Sequence, residues 1–200
     1  MGDDMKKFFY GIVTVIVLII IGGAVFVFSG LYNVAADAPH WKITFLLLNE
    51  TRDRSISRHS RDINTTLPVD QAAMEVGFKH YHEMCRLCHG APGFHRTEFA
   101  EGLYPSPPSL ESLKIQEELG RAGVLWVVRH GLKMTGMPSF DKTHTDEQIR
   151  SIVAFVEKLP DIGQEKYREM LSSEEEKTPA VNEQGHEAGQ ADDQGHEEPR

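Results

Sequence analysis

Cys85-Arg86-Leu87-Cys88-His89 decides the reading of this chain, because it contains the only two cysteines among 200 residues, followed at once by a histidine. Two thiols this close do not staple a disulfide scaffold, but the spacing serves a metal, a redox dithiol or a covalently held haem. On a helix, a separation of one turn suits thioether bonds to both haem vinyl groups, and the adjacent imidazole can then ligate the iron. A structural zinc site would need a fourth ligand from the scattered His80, His82, His95 or His130. A thioredoxin-like dithiol would need a βαβ context, and no strand pattern is evident. The motif therefore reads as one haem c, held by Cys85 and Cys88 with His89 on the iron.

The flanking sequence is helical. Between Val69 and Met84, Ala73, Val76, Gly77, His80, Tyr81 and Met84 share one helical face that leads into Cys85. A second helix, from about Ile115 to His130, carries Leu119, Ala122, Leu125 and Trp126. Thr145 followed by Gln148 reads as a capping box, and Ile149, Ile152, Val153, Val156 and Leu159 form the apolar stripe of a third helix that Pro160 stops. Residues 90–113 contain Pro92, Pro105, Pro107 and Pro108 and show little alternation, so they read as a loop that needs a large object to wrap. A haem supplies that surface and substitutes for much of a small core.

A ligand on the second face of the iron decides between electron transfer and small-molecule chemistry. Met137, 48 residues after His89 in Lys133-Met134-Thr135-Gly136-Met137-Pro138, is the leading candidate. Gly136 permits close approach of the backbone and Pro138 stiffens the turn. Met134 could do the same work, and either methionine could simply fill space against an apolar surface. His130 and His144 read as surface histidines.

Phe8 to Phe28 is uncharged for 21 residues, a helix of about 31 Å that matches the hydrocarbon thickness of a bilayer. A retained anchor is expected; a signal peptide cut near Ala36 or Ala38 is the alternative, although signal cores are usually shorter. Lys6 and Lys7 precede the span and only Lys42 closely follows it, which orients the N-terminus inside. Trp41, Phe45 and Leu48 then recur at helical spacing before a charged stretch, suggesting a juxtamembrane helix that either lifts the next domain off the bilayer or packs onto it. The chain carries a formal charge of −9, much of it in nine acids and two bases after residue 171. That balance argues against a general nucleic-acid binder. From Tyr167 onward the composition predicts disorder. The expected organisation is an anchor at 1–30, a juxtamembrane helix and linker at 31–67, a haem domain at 68–171 and a disordered acidic tail at 172–200.

The helix into CRLCHG (85–90), the YPSPPSL stretch (104–110), the VLWVVRHGLKMTGMPSF block (124–140) and the closing IVAFVEKLP helix (152–160) together resemble the class I monohaem cytochromes c. The resemblance is strongest to the membrane-anchored bacterial type, similar to the cytochrome domains of haem-copper oxidase subunits, and covers about residues 70–160. It implies an all-α class I cytochrome c domain behind a transmembrane helix. It further implies that the first and last helices cross at Gly77 against Phe155 or Tyr81, and that a carbonyl at Pro107 or Pro108 accepts a hydrogen bond from His89. Trp126 and Arg129 are the candidates for haem propionate contacts, and Lys133, Lys142 and Arg86 for a contact surface at the haem edge. The expected function is single-electron transfer, not catalysis, between respiratory or dehydrogenase partners on the periplasmic side of a bacterial-type cytoplasmic membrane. An electron-relay subunit of one oxidoreductase complex, or a haem sensor or enzyme with a labile distal site, are the alternatives.

Overall fold

A computed structural model describes residues 2–177. Among these residues there is no β-strand, only an isolated bridge between Ala91 and Phe94, and eight α-helices carry the fold. They are α1 (Asp3–Phe28), α2 (Lys42–His59), α3 (Gln71–His80), α4 (Arg86–His89), α5 (Glu98–Glu101), α6 (Lys114–His130), α7 (Asp146–Lys158) and α8 (Gln164–Lys177). No residue of α1 is buried, so it is not a core helix, and its length and apolarity suffice to cross a membrane.

The domain is built on the crossing of α3 and α7. Asp70 caps α3 by accepting from the Ala73 amide (2.9 Å). At the start of α7 the expected capping box is complete: the Thr145 hydroxyl accepts from the Gln148 amide, and the Gln148 side chain accepts from the Thr145 amide. The buried face of α7 comprises Ile149, Ile152, Val153, Phe155 and Val156, all at most 3% exposed. Where the helices cross, a Cβ on Gly77 would overlap the Ser151 carbonyl and stand 2.9 Å from Phe155 Cβ. Phe78 and Tyr81 then reach Phe155 with ring centroids 5.6 and 5.3 Å apart. The expected crossing at Gly77 and Phe155 is therefore present.

Three departures from the sequence reading have physical causes. First, α3 does not run regularly to Met84: Tyr81–Cys85 is a π turn in which the Arg86 amide donates to the Tyr81 carbonyl. Second, α6 breaks at Gly120, whose φ of 63° and ψ of 166° no helix contains. Third, the disorder expected from Tyr167 onward is overturned as far as Lys177. Tyr167 is fully buried on α8, with Phe78 and Phe94 rings at 5.2 and 5.7 Å, and Lys177 pairs with Glu75 of α3. These aromatic contacts outweigh the polar composition around one large apolar anchor. The remainder of the expected disordered tail, 178–200, lies outside the described residues.

Helix α2 packs onto the domain with its C-terminal half. Ile56 is 3% exposed and lies against Gly123 of α6, while the His59 ring stands 5.8 Å from Trp126. Of the two expectations for this helix, packing is the one observed.

Candidate functional site

The π turn and α4 form one continuous helical run that delivers Cys85, Cys88 and His89. An inserted π turn rotates the residues after it by about a hundred degrees relative to α3, and such turns recur at functional sites. The end of α4 is tied down by two donors on one carbonyl: the Thr97 amide and hydroxyl both donate to the Leu87 oxygen, at 3.0 and 2.9 Å. Tyr81, fully buried, donates its hydroxyl hydrogen to the Gly90 carbonyl at 2.7 Å and fixes the exit from the motif.

His89 Nδ1 lies 2.7 Å from the Pro108 carbonyl. A carbonyl only accepts, so Nδ1 carries the hydrogen and Nε2 keeps its lone pair. Burial holds the imidazole below its ordinary pKa, against the Pro108 bond, which acts in the opposite direction. The side chain is therefore a neutral, oriented donor, as a ligating histidine must be. The neighbouring Pro107 carbonyl accepts from Arg96 (2.6 Å), which also donates to the Ser106 hydroxyl (2.9 Å). Arg96 thus braces the loop that braces His89. The sequence reading missed it because nothing in its local pattern separates it from a solvated arginine.

Both cysteines are part-buried, and Cys85 packs on the hydrophobic core. Burial, with a smaller contribution from Cys88, pushes the Cys85 thiol up to about 12. A reactive dithiol needs the opposite shift, toward the thiolate, so the thioredoxin-like alternative loses its support. Among the described residues no three His, Cys, Asp or Glu side chains converge on a common metal position, which leaves zinc without its ligand set.

The two candidate methionines separate clearly. Met134 is 91% exposed at the tip of its loop with φ 59°, whereas Met137 is part-buried and packs against the core. The loop is closed from within: the Thr135 hydroxyl donates to the Leu132 carbonyl (2.8 Å) and accepts from the Met137 amide (3.1 Å), and the Leu132 amide donates to the Met137 carbonyl (3.1 Å). Gly131, with φ 66°, lets the chain pass over itself, since a Cβ there would meet the Met137 oxygen at 2.7 Å. A Cβ at Gly136 would meet Leu103 at 2.6 Å, so this loop touches the proline-rich segment that holds His89.

Trp126 lies between His59 and His130, with ring centroids at 5.8 and 5.2 Å. Arg129 is turned to Asp146, with Asp141 at 3.7 Å, and its buried Nε has no hydrogen-bond partner. Of the three cations expected at a contact surface, Lys133 and Lys142 are exposed. Arg86 is instead held over the Phe94 ring at 5.1 Å and donates to the His82 carbonyl.

Two thiols on one helical run, an imidazole with Nε2 left free, and a thioether on a braced loop that meets the imidazole's own support form a donor set that fits a haem. Residues 72–156 match the family described as "Cytochrome C oxidase, cbb3-type, subunit III". No curated protein and no solved structure matches the chain. The matched segment contains the α3–α7 crossing, the cysteine pair, His89 and Met137, and it is a cytochrome c domain of the haem-copper oxidase type.

Proposed function

We propose that this chain is a membrane-tethered electron carrier whose single haem is bonded through Cys85 and Cys88 and ligated by His89 and Met137. The observation that carries the reading is the His89–Pro108 hydrogen bond directly after a C-x-x-C pair. It commits one ring nitrogen to the protein and leaves the other for iron. Bound there, the haem would supply a one-electron couple, and a thioether ligand favours a relatively high potential. The residues supply position: Thr97 and Tyr81 fix the helical run, Pro108 and Arg96 orient the imidazole, and Thr135 closes the loop that presents Met137. Arg129, whose Nε makes no hydrogen bond, and Trp126 are assigned to the propionates. Helix α1 is assigned to span a bacterial-type cytoplasmic membrane once, N-terminus inside, so that the domain faces the periplasm beside membrane-bound donors and acceptors and benefits from their raised local concentration.

The family description favours a second reading, in which the chain is the electron-relay subunit of one oxidase complex. Copurification after mild detergent extraction separates the two. The ligand assignment is tested by Met137→Ala and Met134→Ala. Colour should survive acid–acetone extraction in both, as thioether bonds require. The long-wavelength ferric band of methionine ligation should vanish, and carbon monoxide should bind the reduced protein, only in Met137→Ala. Loss of the band in Met134→Ala, or of all colour in the unaltered protein, defeats the assignment.

A further inference from the structure

The first two turns of α2 carry an apolar surface that the cytochrome domain does not cover. Ile43, Phe45, Leu46, Leu47 and Leu48 are 44–61% exposed, and at a hundred degrees per residue they surround the helix on every side. A helix that is apolar all round is stable only inside other apolar matter. The same helix changes character at Glu50: Arg52, Asp53, Arg54 and Arg58 are exposed, and Ile56 is buried against α6.

The end of the membrane helix lies beside the bare half. The Trp41 ring stands 5.9 Å from Phe26 and 5.2 Å from Tyr32. Phe26 belongs to the uncharged Phe8–Phe28 stretch of α1. The connecting segment therefore folds back, and α2 starts level with the last turn of the span.

We propose that residues 41–48 enter the outer face of the lipid bilayer as a second membrane contact, with Trp41 at the headgroup level and the charged half of α2 in water. Residues 42–48 make about 10 Å of helix, short enough to lie along the interface, where a segment of this kind sinks its apolar side chains about 5–10 Å below the headgroups. Because α2 runs on to Ile56 and docks on α6, this contact sets the height of the cytochrome domain above the lipid. His40 adds a tie, its amide donating to the Tyr104 hydroxyl (3.2 Å) beside the proline-rich loop.

The inference rests on α1 spanning the membrane, and the test separates the two claims. The full-length haem-loaded protein is reconstituted alone in phosphatidylcholine vesicles containing an apolar photoactivated diazirine, and the labelled peptides are mapped by mass spectrometry. Label should appear in 41–48 as well as in 8–28, and not in 50–62. The double variant Leu46→Glu/Leu47→Glu, altered only at exposed positions, should lose the label in 41–48, keep it in 8–28 and retain the visible spectrum. Label confined to 8–28 in the unaltered protein overturns the proposal, whether water or a second copy covers the segment; cross-linking identifies the second copy. Absence of label from both segments removes α1 from the bilayer, and the proposal with it.

Discussion

At the scale of single residues, Gly77 matters because of what faces it. A side chain there would push into the backbone of α7 at Ser151 and into Phe155 Cβ, and backbone cannot step aside as a flexible side chain can. Overpacking of this kind costs about 1–3 kcal/mol, and more where backbone must move. Gly77→Val is therefore expected to lower the melting temperature of the holoprotein by at least several degrees, read by circular dichroism; an unchanged melt would mean that the two helices do not touch at this point. His80 is a second residue whose surroundings set a measurable property. Its pKa lies below the ordinary imidazole value of 6.5, first because of burial and then because of His144, with Lys79 acting in the same direction and Glu83 against it. The rings of His80 and His144 are 4.9 Å apart. The unfolded chain takes up this proton near 6.5 while the folded one resists, so stability is full above 6.5 and falls as the pH drops through that value. His80→Gln should reduce the loss of melting temperature between about pH 7.5 and 5.5. Other part-buried histidines keep the remainder of the slope; an undiminished slope would place His80 in water.

Helix α8 is the element that composition conceals. Its run of Glu, Lys, Gln and Ser has the character of a solvated tail, and a window average gives no weight to one tyrosine. Yet Tyr167 is fully buried, its hydroxyl lies 3.1 Å from His82 Nδ1, and burial raises its pKa well above the usual phenol range. Truncating a buried aromatic costs about 3–5 kcal/mol. Tyr167→Ala is expected to destabilise the holoprotein by that amount in denaturant titration, whereas the exposed neighbour Lys166→Ala should fall within about 0.5 kcal/mol of the parent. Equal, small effects would return α8 to the tail. The helices that were legible share a signal α8 lacks. α7 announced itself by a capping box and a regular apolar stripe, and α3 by the face that leads to Cys85. The π turn at Tyr81–Cys85 carries no such signal, because its sequence satisfies an α-helical pattern equally well; tertiary packing of Tyr81 on Phe155 and Gly90 selects it.

Over the whole molecule, the candidate haem-binding residues were legible because covalent chemistry demands particular residues at particular spacings, and the carbonyl that meets His89 was expected at Pro107 or Pro108 from the family resemblance, whereas the other supports were not. Thr97, Arg96 and Thr135 act on carbonyls that their own neighbours do not mark, and no local pattern predicts which carbonyl a given donor will reach. The same holds for the connection between the N-terminal helices and the domain. The segment after α2 is pinned by two arginines of the cytochrome domain. Arg150 donates from Nη1 to the carbonyls of Asn64 (2.7 Å) and Thr66 (2.9 Å). Arg121, locked bidentately on Glu157 at 2.6 and 2.8 Å, reaches the Thr65 carbonyl (3.5 Å). The domain therefore rides on a docked linker, and its orientation relative to α1 and α2 is set in part by these bonds. Hydrogen bonds from a charged donor contribute about 1.5–3 kcal/mol, and about 1.4 kcal/mol of local stability is a factor of ten in the opened population. Arg150→Ala should consequently speed tryptic cleavage at Arg61, three residues before Asn64, by about tenfold. Cleavage at Arg52, on the exposed part of α2, should not change, and neither should the visible spectrum. Equal rates at Arg61 in the two proteins would show that the linker is held by something other than Arg150.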